Sequence, residues 1–132
     1  MDINALNTID LSERGVEFEI IDPRKGKGTG AFLTSLGPDS QMYKAVTKEL
    51  VKQSGEATFA EILSHDGLSE SMACERTIRC ITGWRGWTKE GKPLAFSEAE
   101  LRKVFAASAV VRKQAIQKNK DESNFLPPAS AS

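Results

Sequence analysis

The sequence predicts an α+β fold, in which an N-terminal β-hairpin packs against three to five α-helices in a single domain. Val16, Phe18 and Ile20 alternate with Glu17 and Glu19, the period-two pattern of a strand with one buried face. The turn formers Asp22-Pro23-Arg24-Lys25-Gly26-Lys27-Gly28 follow, and an apolar run from Gly30 to Leu36 containing Phe32 and Leu33 completes the hairpin. Beyond Gly37-Pro38 the apolar residues recur at helical spacing, in segments separated by Gly and Ser.

At 132 residues the chain is long enough to bury a core without disulfides or metals. One domain over residues 1–126 is expected, with 127–132 as a disordered tail, because Pro127-Pro128 stops a helix and the small residues after it have nothing to bury.

The N-terminal residues Ile3, Leu6, Ile9 and Leu11 are loosely spaced and suit either a short helix or an extended lead-in. After the hairpin, Asp39 is the expected N-cap of a helix to about Gln53, with Met42, Val46 and Leu50 as its apolar stripe and Tyr43 alongside. Thr58-Phe59-Ala60-Glu61 has capping-box spacing for a short or frayed helix before His65-Asp66-Gly67. Ser69 is placed to cap a helix through Ile81 that turns Met72, Ala73, Thr77, Cys80 and Ile81 inward and stops at Gly83. Ser97 and Glu100 form another capping box, opening a helix with Leu101, Val104 and Phe105 on its core side. Helical spacing continues through Val111, Gln114 and Ala115 and thins out toward Lys118 and Lys120.

Composition excludes several classes of function. Eighteen basic and eighteen acidic side chains give a net charge of zero, so no overall field draws the protein to nucleic acid or to an anionic membrane. The same neutrality weakens colloidal repulsion and is compatible with homo-oligomers. The most apolar stretch, Ala106 to Val111, contains Ser108 and is far shorter than a bilayer span, and the first residues do not form a signal peptide. Cys74 and Cys80 lie six apart, about 240° around a helix, so they are expected to be free thiols buried as small hydrophobes.

No constellation carries chemistry. Gly26-Lys27-Gly28-Thr29-Gly30 lacks P-loop spacing and leads into a strand rather than a helix N-terminus. Arg24, Lys25 and Lys27 at the hairpin tip suit a solvated turn, or an acidic partner. His65-Asp66, with Glu61 or Glu70 nearby, has no adjacent nucleophile motif, and Arg112, Lys113, Lys118 and Lys120 have no interleaved aromatics for base stacking. No enzyme activity, cofactor or metal is expected.

The segment Gly83-Trp84-Arg85-Gly86-Trp87 through Gly91-Lys92-Pro93-Leu94-Ala95-Phe96-Ser97 holds both tryptophans. Its rings divide between two readings, core packing and an interface in which Trp is a favoured anchor. An aliphatic helix, Gly-Trp-x-Gly, a polar turn, Gly-Lys-Pro-Leu, an aromatic and then Ser-x-x-x-x-Leu resembles the tail assembly chaperones of long-tailed bacteriophages. Asp22-Pro23 with Gly26, Gly28, Thr29 and Gly30 resembles that family's early hairpin. Gly37-Pro38-Asp39-Ser40 with Tyr43 resembles its helix opening, and Asn124-Phe125 a late position. The similarity covers roughly residues 11 to 126 in family order. The turn Thr88-Lys89-Glu90-Gly91 departs from it by lacking the usual aspartate before the glycine.

What the resemblance implies is a non-enzymatic protein of the host cell cytoplasm that binds the aggregation-prone tape measure protein during tail assembly and helps tail tube subunits gather round it. Trp84, Trp87, Phe96, Tyr43 and Phe125 are the partner-binding residues it points to. The rival is a structural tail or head-to-tail connector protein that stays in the virion.

Overall fold

The computed structural model describes residues 1–54 and 69–128. A 3-10 turn, Ile3–Leu6, and a short helix α1, Ile9–Arg14, precede the hairpin strands β1, Val16–Asp22, and β2, Lys27–Ser35. Helix α2, Gln41–Ser54, follows, and α3, Glu70–Cys80, runs without a linker into β3, Ile81–Arg85. A small hairpin of β4, Thr88–Lys89, and β5, Lys92–Pro93, leads to α4, Glu98–Ala107, to α5, Ala109–Lys120, and to a 3-10 turn at Glu122–Phe125. The fold is the mixed α+β arrangement that the hairpin and helical periodicities predict.

The main sheet is antiparallel in the order β1-β2-β3, which leaves β1 and β3 as its edges. Phe18 stands opposite Leu33, and Leu33 opposite Trp84. The register of β1 breaks between Glu19 and Ile21, where the Thr29 hydroxyl donates to the Ile20 carbonyl at 2.8 Å. Such a bulge turns a strand locally and changes which side chains it presents.

Ile20, Leu33 and Ile81 of the sheet form one core with Ile78 of α3, Leu101 and Phe105 of α4, and Val111 and Ala115 of α5. Each fully buried large side chain contributes roughly 1.5–3 kcal/mol. This single cluster is therefore the main source of stability. Helix α2 packs on α3 outside that cluster through Val46, Thr47 and Leu50, all buried.

Four expectations are corrected. The N-cap of α2 is Ser40, whose hydroxyl accepts from the Tyr43 amide at 3.2 Å, whereas the Asp39 carboxylate accepts from the Thr8 hydroxyl and ties α1 to the helix start. Met42 is 45% exposed, because the inward stripe of α2 is Tyr43, Val46, Thr47 and Leu50. Gly83 is not a helix stop: α3 ends at Cys80, Ile81 turns extended to bury its side chain in the sheet, and Gly83 lies in β3 opposite Thr34. Helix α5 does not thin out, since Asn119 is fully buried near its end.

Asn119 explains that persistence. Its amide donates to the Leu36 carbonyl at 2.8 Å and to the Ser35 hydroxyl at 3.1 Å, and its carbonyl accepts from the Thr77 hydroxyl at 3.3 Å. A buried amide satisfied by three partners fixes α5 against the end of β2 and against α3.

The 3-10 turn at Glu122–Phe125 is capped by Asp121, which accepts from the Ser123 amide at 3.0 Å. It returns Phe125 to the interior at 2% exposure. Gly37 is what admits the ring, because a Cβ there would sit 2.7 Å from it. Of the tail expected at 127–132, only Pro127 and Pro128 are among the described residues. The readings of Thr58-Phe59-Ala60-Glu61 and of His65-Asp66 lie outside them.

Candidate interaction surface

Trp84, Trp87 and Phe96 are brought together. The two indoles stack with centroids 5.0 Å apart at 24°, and Phe96 meets Trp84 edge-on at 5.4 Å and 79°. Each indole N–H is used internally, that of Trp84 on the Leu94 carbonyl at 2.9 Å and that of Trp87 on the Phe32 carbonyl at 3.0 Å. The three rings are half-buried and pack against the main core. Their arrangement depends on Gly86, whose φ of 79° and approach to the Gly30 carbonyl exclude a Cβ. Glu90 and Gly91, at φ 54° and 78°, supply the left-handed turn between β4 and β5. The cluster therefore ties the end of β3 to β2 and to the Leu94 segment.

Tyr43 and Phe125 do not join these rings. Tyr43 lies 4.0 Å from the guanidinium of Arg76, which is 3% exposed and donates to the Thr47 hydroxyl at 3.2 Å. This cation–π contact belongs to the α2–α3 packing. Phe125 is interior and presents no surface to a partner.

The opposite edge of the sheet carries the feature that motif reading missed. An open groove of about 650 Å³ runs between β1 and α5, lined by Phe18, Glu19 and Ile21 on the strand and by Lys113, Gln114, Gln117 and Lys118 on the helix. A second apolar hollow of about 360 Å³ adjoins it at Ile20 and Ile21, walled by Val110 and Val111. Gln114 spans the gap at one point: its side-chain carbonyl accepts from the Ile21 amide at 2.9 Å and its NH₂ donates to the Ile21 carbonyl at 2.8 Å. The amide thus satisfies the bulged edge strand as a neighbouring strand would. The missed signal was positional, since Gln114 meets Ile21 across 93 residues of sequence.

Electrostatics divide the surface. Most charged groups pair locally, as Arg85 does with Glu17 at 2.7 Å while lying over the Phe32 ring at 3.7 Å. That ion pair holds the Glu17 carboxyl below its usual range. At the hairpin tip Arg24 is bound by Asp22 of its own strand at 2.9 Å. Arg112 donates to the last-turn Phe105 carbonyl at 2.9 Å and faces Glu70 at 3.3 Å, so it joins α5 to α4 and to the start of α3. Lys113 and Lys118 at the groove rim have no carboxylate within 4 Å among the described residues. Cys74 and Cys80 are unbridged, and burial pushes the Cys80 thiol up to about 11, so it stays protonated and inert near neutral pH.

Among the described residues no group of three His, Cys, Asp or Glu is placed to hold a metal ion, and no helix is long and apolar enough to cross a membrane. No protein-family model, no curated protein and no solved structure matches the chain.

Proposed function

We propose that this protein is a phage tail assembly chaperone that holds apolar helix faces of a tape measure protein until the tail tube forms around them. The resemblance in ordered motifs supplies the client. The observation that carries the reading physically is the open β1–α5 groove, with an apolar floor of Phe18 and Ile21 and a polar rim of Lys113, Gln117 and Lys118. A groove of that make suits one face of an amphipathic helix, whose apolar residues fill the floor while its polar side stays in water. A long helical chain without its final partner collapses through exposed apolar faces, and transient cover prevents that.

The residues that carry the resemblance take a supporting part in this account. Trp84, Trp87 and Phe96 brace the sheet, and Phe125 and Tyr43 brace the helices, so that β1 and α5 face each other at a fixed spacing. Co-expression tests the reading. Soluble tape measure protein should increase with this chain, and the gain should be lost with Ile21→Glu, which places a charge on the groove floor. Equal insolubility with and without the chain would refute it.

A further inference from the structure

We infer that Gln114 is a specificity-determining residue of the β1–α5 groove, whose side-chain amide stands where an added strand would bond and so excludes extended segments in favour of one that arrives already helical. The inference rests on the groove being a docking site, and adds which backbone form it admits.

The groove has room for the wrong occupant. β1 is an edge of the sheet, and three hollows follow it from end to end. The one of about 360 Å³ lies at Ile20 and Ile21, the one of about 650 Å³ at Phe18 and Glu19, and a third of about 120 Å³ at Val16 and Glu17. An extended segment could therefore lie along all seven residues of the strand. An edge strand is also a template, because its outward N–H and C=O groups can pair with any extended chain. A protein that meets a long client before the client has its final partner is exposed to such segments.

Gln114 removes the template at one rung. A primary amide offers the same donor and acceptor as a peptide group. That of Gln114 uses both on one residue, accepting from the Ile21 amide at 2.9 Å and donating to the Ile21 carbonyl at 2.8 Å. This two-way exchange is the one a residue of a facing antiparallel strand makes. The rung lies at the break in register between Glu19 and Ile21, where the Ile20 carbonyl is already taken by the Thr29 hydroxyl at 2.8 Å. Pro23, just past the strand, has no N–H to offer. An incoming strand thus loses its pairing on the bulged half of β1. Helix α5 is seated without the Gln114 contact, by Val111 and Ala115 in the core and by Asn119 on Ser35 and Leu36, so the amide is presented to β1 by a helix that other residues fix. A helical client loses nothing to this block, because its backbone groups are bonded within the helix and only its side chains enter the groove.

The test uses the full chain and two peptides with the same charged ends, one helical with Leu at every third or fourth position and one alternating Val and Thr. Fluorescence anisotropy should show the wild-type protein binding the helical peptide in preference. Gln114→Ala, and Gln114→Leu, which keeps most of the side-chain bulk, should each gain affinity for the alternating peptide by about ten-fold or more, as two backbone groups set free for pairing would give. Amide exchange at Ile21 should quicken in both variants and slow again when the alternating peptide is added. A wild-type protein that binds the alternating peptide as tightly as the variants do overturns the inference, and so does quickened exchange at Ile21 with no gain for that peptide. Equal loss of both peptides would also overturn it, reducing Gln114 to a brace between β1 and α5. Failure of the helical peptide to bind any form, with the alternating peptide still gained by the variants, removes the helical-client reading and leaves the strand block standing.

Discussion

Trp84 shows how one side chain can satisfy two expectations at different strengths. Its ring is stacked on Trp87, met edge-on by Phe96, and tied through its N–H to Leu94. Trp84→Ala should therefore cost about 3 kcal/mol, the low end for removing a large buried aromatic, because the ring is only half-buried. Urea denaturation measures this, and client binding should persist at temperatures where the variant is folded. Asn119 makes a sharper case, since its three partners are all internal. Asn119→Ala should cost about 1–3 kcal/mol by leaving Thr77 and Ser35 short of a partner. Equal stability of variant and parent in the same titration would contradict that account. The aromatic neighbourhood was legible in the sequence, because the rings lie within one short segment. Asn119 was not, because a polar residue in a lysine-rich stretch looks solvated unless its distant partners, Ser35 and Thr77, are known.

At the scale of elements, α3 and α4 are joined on their outer side by Glu75. Its carboxylate accepts from Arg102 at 2.7 and 2.8 Å and from Arg79 at 3.1 Å, while Arg79 also reaches Glu49 of α2 at 2.8 Å. The Arg102 hydrogen bonds, followed by those of Arg79, pull the Glu75 carboxyl down from 4.5 to about 2. A carboxyl depressed in the folded state stabilises fully above its unfolded value and loses that contribution as pH falls through the folded value. Stability should thus hold down to about pH 4.5 and decline between there and about pH 2. Glu75→Gln should weaken the neutral-pH fold by about 1 kcal/mol, as suits a partly exposed ion-pair network, and flatten that part of the acid limb. Thermal melts across that range decide it, and an unaltered acid limb in Glu75→Gln would rule the ladder out. Element boundaries were legible where side chains cap locally. Ser69, accepting from Met72, and Ser97, accepting from Glu100, open the helices where the sequence places them. They were illegible where tertiary packing decided. Ile81 has a residue context that suits the end of a helix as well as a strand, and its pairing opposite Ser35 of β2, with its side chain buried in the core, is what settles it.

For the whole molecule, the consequence of the fold is a division of labour between the two edges of one sheet. Trp84, Trp87 and Phe96 pack against the core beside β3, and at the β1 edge Gln114 grips Ile21. A chain of zero net charge has no net monopole to attract a partner, so on the proposed reading recognition falls to local surfaces, and the apolar groove rimmed by Lys113 and Lys118 suits a helical client. The hairpin that builds the groove was legible from the alternation of Val16, Phe18 and Ile20. The groove itself was not, because it forms where β1 meets a helix almost a hundred residues later. Amide hydrogen exchange on the protein with and without tape measure protein tests the central claim most directly. Slowed exchange concentrated in Phe18–Ile21 and Lys113–Lys118 is the predicted result, and protection centred on Trp84–Phe96, with β1 and α5 unchanged, would contradict it.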